Sequence, residues 1–206
     1  MLVGVGTKGL SSKLRSVLIL CAFVLVVAVA IGFTAISPLH AWRDPVYIVA
    51  GFGGVIAISL MLFQPMLAAG YLPGLSVLQG RRVHRYLGTL LVVSVVIHVA
   101  GLWITSPPDV IDALLFSSPT PFSVWGVIAM WAVFIAASLV ALRRKFRLPA
   151  RLWRLSHRIL VAVTVMGSVA HALLIEGAME TFSKLALCGL LLITTVVVLL
   201  KFKQQG

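Results

Sequence analysis

The sequence contains few charged residues, and very few of them are acidic. Charged residues make up 11% of its 206 positions and only five are Asp or Glu, whereas 61% are hydrophobic and the mean hydropathy is +1.12. This composition excludes a soluble domain, because a polar exterior needs more polar side chains than the chain possesses. We therefore expect an all-α integral membrane protein that forms one domain in lipid.

Two common kinds of site are also missing. Cys21 and Cys188 lie in separate apolar runs, which argues against a CxxC site, a zinc site and a disulfide framework. The formal net charge of +12 is typical of nucleic-acid binding only where the basic residues form a solvated face. Here they lie in short segments between hydrophobic runs, so we expect no nucleic-acid partner and a lipid bilayer instead.

Six apolar runs have about the length that a membrane-spanning helix needs, roughly 17 to 25 residues. They occupy residues 17–36, 46–69, 86–105, 122–142, 159–175 and 182–200. Breaker residues such as Ser106-Pro107-Pro108 separate them. The sequence thus predicts a six-helix transmembrane bundle over residues 17–202, with tails at 1–16 and 203–206.

The basic residues indicate how the bundle is oriented. The two tails and the even-numbered loops carry 15 of the 17 Lys and Arg residues. By the positive-inside rule, both termini are cytoplasmic and the third and fifth spans run outward. All five acidic residues fall on the opposite, outer side.

Four of the five histidines belong to the third and fifth spans, where ionisable groups are costly and usually functional. His84 and His98 are separated by 14 residues, and so are His157 and His171. Fourteen residues make nearly four helical turns, so both members of a pair face almost the same way, about 21 Å apart along the helix. We call His84 and His157 the inner pair, and His98 and His171 the outer pair.

Two stacked pairs of histidines favour two heme irons with two imidazole ligands each, an arrangement that suits electron transfer. No CxxCH is present for covalent attachment, so the heme is expected to be b-type. Arg85 and Arg158 follow the inner pair and are candidates to neutralise heme propionates, and Gly88 and Gly167 are candidates for close approach of the macrocycle. The alternative is that the histidines only hydrogen-bond between helices or lie in the membrane interface; His40 is expected to be a surface residue.

Two segments resemble the ferric reductase-like transmembrane domain, the six-helix heme core shared by ferric reductases, NADPH oxidases and small bacterial relatives. They are GRRVHRYLGTLLVVSVVIHVAGLWI at 80–104 and LWRLSHRILVAVTVMGSVAHALLI at 152–175. The resemblance implies that His84 and His157 ligate an inner heme iron, and His98 and His171 an outer one. NADPH oxidases have a further histidine where this chain has Leu102, so superoxide production is less expected than electron delivery to another acceptor.

The larger relatives continue into FAD and NADPH domains, whereas no G-x-G-x-x-G unit follows the sixth run here. The expected function is a transmembrane b-type cytochrome, in the bacterial plasma membrane, that needs a separate donor. The donor would be a flavoprotein or quinol, and the acceptor ferric iron or a periplasmic redox partner. The alternatives are the quinol-oxidising heme subunit of a periplasmic methionine sulfoxide reductase-like system, a cytochrome b561-like protein, and a non-redox transport or assembly protein.

Overall fold

The computed structural model describes residues 12–72, 75–143 and 145–204, and every regular element in these ranges is helical. A short 3-10 turn, Pro38–His40, follows the first helix. The seven α-helices are α1 Ser12–Ala35, α2 Pro45–Ala69, α3 Val77–Thr105, α4 Pro107–Leu114, α5 Pro121–Leu142, α6 Ala150–Leu174 and α7 Thr181–Gln204. The predicted tail at 1–16 overlaps the start of α1, and residues 1–11, 205 and 206 lie outside the described ranges.

Five of the described helices are long and apolar enough to cross a membrane: α2, α3, α5, α6 and residues Thr181–Lys201 of α7. The multi-pass membrane class expected from composition is therefore confirmed. In α1 the apolar stretch, Leu20–Ala35, is shorter than 18 residues. A sixth span remains a prediction.

The helix ends follow from local chemistry. Asp44 accepts a hydrogen bond from the backbone N–H of Val46 at 2.7 Å and so caps α2, which ends at Gly70 with the left-handed φ of +69° that glycine tolerates best. At the start of α3, Ser76 and Gln79 form a reciprocal capping box. These caps satisfy backbone donors that the first turns leave free.

The structure differs from the predicted boundaries in three places. The break at Ser106 is followed at once by α4, because proline is well tolerated at the first position of a helix. Helices α3 and α6 begin several residues before the predicted runs, at Val77 and Ala150. His84 and His157 therefore lie inside regular helices and not at their ends.

The helices that carry the histidines each pack along the helix that precedes them. Contacts are most extensive between α2 and α3 and between α5 and α6, and α7 packs against α6, α2 and α1. Gly53 allows the backbones of α2 and α3 to approach closely. A Cβ at this position would lie 3.0 Å from the Ser94 carbonyl oxygen of α3, which leaves no room for a larger side chain. Leu62, Leu187 and Leu191 are fully buried in the core between α2 and α7.

Candidate functional site

The outer pair of histidines meets across the bundle. The ring centroids of His98, on α3, and His171, on α6, are 6.3 Å apart, and the ring planes are inclined at 78°. His84 likewise lies near enough to His157 to interact with it electrostatically. Because each histidine of α3 lies near one histidine of α6, the two helices run in the same direction and hold two layers of histidines.

Each outer histidine is fixed by a carbonyl of the preceding helix. His98 Nδ1 is 2.8 Å from the backbone oxygen of Ala50 on α2, and His171 Nδ1 is 2.9 Å from that of Phe122 on α5. A carbonyl oxygen only accepts, so Nδ1 carries the proton in both rings. The unprotonated nitrogen is then Nε2, which is the tautomer that a metal-ligating histidine with a second hydrogen bond has.

A glycine four residues after each carbonyl makes room for the ring. A Cβ on Gly54 would lie 3.1 Å from His98 Nδ1, and one on Gly126 would lie 2.7 Å from His171 Nδ1. One helical turn separates each glycine from its acceptor carbonyl, so both lie on the same helix face. The sequence analysis did not identify Gly54 and Gly126 as site residues. The signal that could have found them is a glycine at the depth of the outer pair in each of the two apolar runs that precede the histidine-bearing runs.

The inner histidine of α3 faces both the backbone and the side chain of Gln64. His84 Nδ1 lies 3.3 Å from the backbone oxygen of Gln64 on α2. The side-chain amide of Gln64 faces the same ring: in its better-satisfied orientation its nitrogen lies 2.6 Å from Nδ1 and its oxygen accepts from the Gly88 N–H at 2.9 Å. In that orientation Nδ1 accepts, whereas ligation through Nε2 requires Nδ1 to donate. The tautomer of His84 is thus coupled to the Gln64 amide.

The inner histidine of α6 is held by stacking. The rings of His157 and Trp153 are nearly parallel, at 8°, with centroids 5.6 Å apart. The Arg143 guanidinium carbon lies 4.3 Å from the Trp153 ring centroid. Among the described residues, neither the buried His157 Nδ1 nor the buried Trp153 Nε1 has a hydrogen-bond partner. We call the side chains of Arg143, Trp153 and His157 the inner stack.

The other predicted site residues have distinct surroundings. Arg85 is exposed on α3 and lines a groove with neighbouring side chains of the same helix, and Arg158 is half-buried on α6. Gly167 packs on α5, where a Cβ would lie 3.0 Å from the Trp125 carbonyl oxygen. At Gly88 the nearest atom to such a Cβ would be the Gln64 amide, at 3.9 Å. Roles of these four residues at a heme stay predictions.

In the part of the chain that the structure describes, no three His, Cys, Asp or Glu side chains are grouped so that they could hold a metal ion. A bare ion at the outer pair would have only two protein ligands, fewer than the four that a tetrahedral zinc site has or the six that octahedral sites have. The pair is therefore suited to a metal that arrives with most of its coordination already filled.

The comparison with protein families finds a match for this chain. The family model described as the ferric reductase like transmembrane component matches residues 50–168, which is more than half of the chain. The matched region runs from early α2 into α6, includes His84, His98 and His157, and ends three residues before His171. No curated protein and no solved structure matches the chain.

Proposed function

Because this chain belongs to the ferric reductase-like transmembrane family, we propose that it is a b-type cytochrome that carries electrons across a membrane through two hemes. In this proposal His98 and His171 ligate the outer heme iron, and His84 and His157 the inner one. When bound, heme supplies one-electron exchange between ferric and ferrous iron. The residues of the chain hold, orient and separate the two groups.

The observation that carries the proposal is the geometry of the outer pair. Two imidazoles on opposite sides of one metal, with metal–nitrogen bonds of about 2 Å, have ring centroids roughly 6 Å apart. The centroids of His98 and His171 are 6.3 Å apart, and in both rings Nε2 is free to bind while Nδ1 donates to a carbonyl. These features support an iron whose remaining four ligands come from a porphyrin. A heme held by both His98 and His171 would supply electron transfer in preference to binding of oxygen.

The spacing of the pairs suits a path through the bilayer. Fourteen residues between the layers correspond to about 21 Å along a helix, most of a hydrocarbon core of about 30 Å. With six spans and both termini in the cytoplasm, as the basic residues favour, the inner pair lies near the cytoplasmic face and the outer pair near the opposite face. The protein would then work in the bacterial plasma membrane.

The remaining assignments complete the proposal. Arg85 and Arg158 each follow an inner histidine and are positioned to neutralise propionates at the cytoplasmic level. Gly88 leaves room near the inner layer, where the nearest atom to an added Cβ would be 3.9 Å away, whereas Gly167 already packs on α5 and is assigned the close approach of that helix. A flavoprotein or quinol is the proposed donor. The proposed acceptor is ferric iron or a periplasmic redox partner.

The test is heme content in the purified protein and in histidine variants. We expect two b hemes per chain by pyridine hemochrome assay, and one after His98→Ala or His171→Ala, because each change removes an axial ligand. His40→Ala is the matched control: this half-buried histidine packs against Phe52 with centroids 5.8 Å apart and should keep both hemes. A colourless protein from heme-sufficient cells, or full heme in the outer-pair variants, would contradict the proposal.

A further inference from the structure

The two layers of histidines are positioned by different interactions. In the outer layer both Nδ1 atoms donate to carbonyl oxygens at 2.8 and 2.9 Å. In the inner layer His84 Nδ1 faces the backbone oxygen of Gln64 at 3.3 Å and the Gln64 side-chain amide at 2.6 Å, whereas His157 Nδ1 has no partner among the described residues. Three of the four histidines therefore have a polar partner at Nδ1, and His157 is the one for which none is found among the described residues.

At His157 the inner stack takes the place of the missing acceptor. The indole of Trp153 lies almost parallel to the imidazole with the ring centroids 5.6 Å apart, and this offset stacking restrains the ring plane without a hydrogen bond. Trp153 lies four residues before His157 on α6, so the two rings share one helix face. Arg143, in the segment just after α5, places its positive charge on the indole.

These differences alter how strongly each imidazole donates electrons to a metal. A ring whose N–H is bonded to a carbonyl becomes more basic, and a more basic ligand stabilises the ferric state. His157 lacks that acceptor and stacks on an indole that also contacts a guanidinium cation, which disfavours added positive charge at the metal. Both effects make His157 the weaker donor of the four histidines and favour the ferrous state at the inner site.

We propose that the Arg143–Trp153–His157 stack positions the inner heme ligand and makes the inner heme the one with the higher reduction potential. The proposal rests on the two-heme function above. Trp153 and Arg143 act as positioning residues, because they act on the metal only through His157.

The test is an equilibrium redox titration of the purified full-length protein followed by its absorption spectrum. We expect two midpoints. His98→Ala, which removes an outer ligand, should keep only the higher one. Arg143→Gln should shift that higher midpoint downward and leave the lower one in place, whereas Lys145→Gln, a neighbouring loss of positive charge with an exposed side chain, should shift neither.

Variants of Trp153 test the positioning role. Trp153→Ala should weaken heme binding at the inner site by roughly 10–100-fold, the range seen when outer-shell partners of metal ligands are removed. Trp153→Phe preserves a stacked ring and should restore binding, and Trp131→Ala, on an exposed face of α5, is the control. Retention of only the lower midpoint in His98→Ala, or equal shifts of both midpoints in Arg143→Gln, would overturn the proposal. A protein without heme would instead refute the function on which it rests.

Discussion

Gly126→Ala should weaken the outer heme site by displacing His171. The new Cβ would lie 2.7 Å from His171 Nδ1 and 3.0 Å from its Cε1. Non-bonded heavy atoms are normally about 3.5–4.0 Å apart, so the ring has to move by roughly 0.8 Å. That movement strains the 2.9 Å hydrogen bond to Phe122 that fixes the tautomer. Losing a hydrogen bond that orients a metal-ligating histidine costs about 10–100-fold in metal affinity.

Two other glycines provide a graded comparison for this variant. Gly54→Ala places its Cβ 3.1 Å from His98 Nδ1, so its effect should be smaller, and Gly51→Ala meets nothing within 4 Å. In a helix interior alanine is otherwise favoured over glycine by about 0.5–1 kcal/mol. Gly51→Ala should therefore keep both hemes and unfold at an equal or higher temperature. The heme content per chain and a heme titration of each purified variant measure how strongly each substitution weakens the outer site. Wild-type affinity at the outer site of Gly126→Ala would refute the reasoning.

Two further predictions concern the end of the bundle near the outer pair. The backbone N–H groups of Phe182 and Ser183 donate to the Glu180 carboxylate and hold its pKa below the ordinary value. The charged carboxylate therefore stabilises the folded protein at pH values above the pKa of Glu180 in the unfolded chain. This stabilisation is lost as the pH falls through the lowered pKa of the folded protein. Thermal unfolding should show Glu180→Gln to be less stable than wild type at neutral pH, with a difference that disappears at acidic pH; a pH-independent difference would contradict this. Lys184→Met should destabilise the protein by about 1–3 kcal/mol, because buried Lys184 donates to the Ile175 carbonyl at 2.8 Å and its loss leaves that acceptor unsatisfied. Denaturant titration in detergent measures the change, and an unchanged midpoint would contradict it.

The class of the fold and the grouping of the histidines were accessible from the sequence. Hydropathy and length identify spanning helices because lipid imposes both requirements on each helix separately. The 14-residue spacing likewise depends only on helix geometry, so it correctly indicated that His98 and His171 share a level. Both inferences use properties of single helices. Whether these histidines ligate heme is a prediction that the variants above test.

Features that depend on how two helices are rotated against each other were not accessible. The contacts of His98 with Ala50 and Gly54 exist because one face of α2 is turned toward α3, and no periodicity in either helix specifies that rotation. The stack of Trp153 on His157 was closer to being predictable, since residues four apart on a helix are neighbours. The third member of the inner stack, Arg143, comes from a different segment. Its contact with Trp153 could be identified only from the tertiary structure.

The proposed difference between the two hemes has a consequence for the direction of electron flow. If His84 and His157 held the group of higher potential, a cytoplasmic donor would reduce that site readily, and onward transfer to the site of His98 and His171 would be unfavourable. The membrane potential is negative inside and favours outward movement of an electron, by about 2.3 kcal/mol for each 100 mV across the full membrane. The layers are separated by about 21 Å of a core of roughly 30 Å, so this transfer gains about two thirds of that energy. A membrane potential that is negative inside would therefore work against the unfavourable potential difference, and depolarisation would remove that contribution.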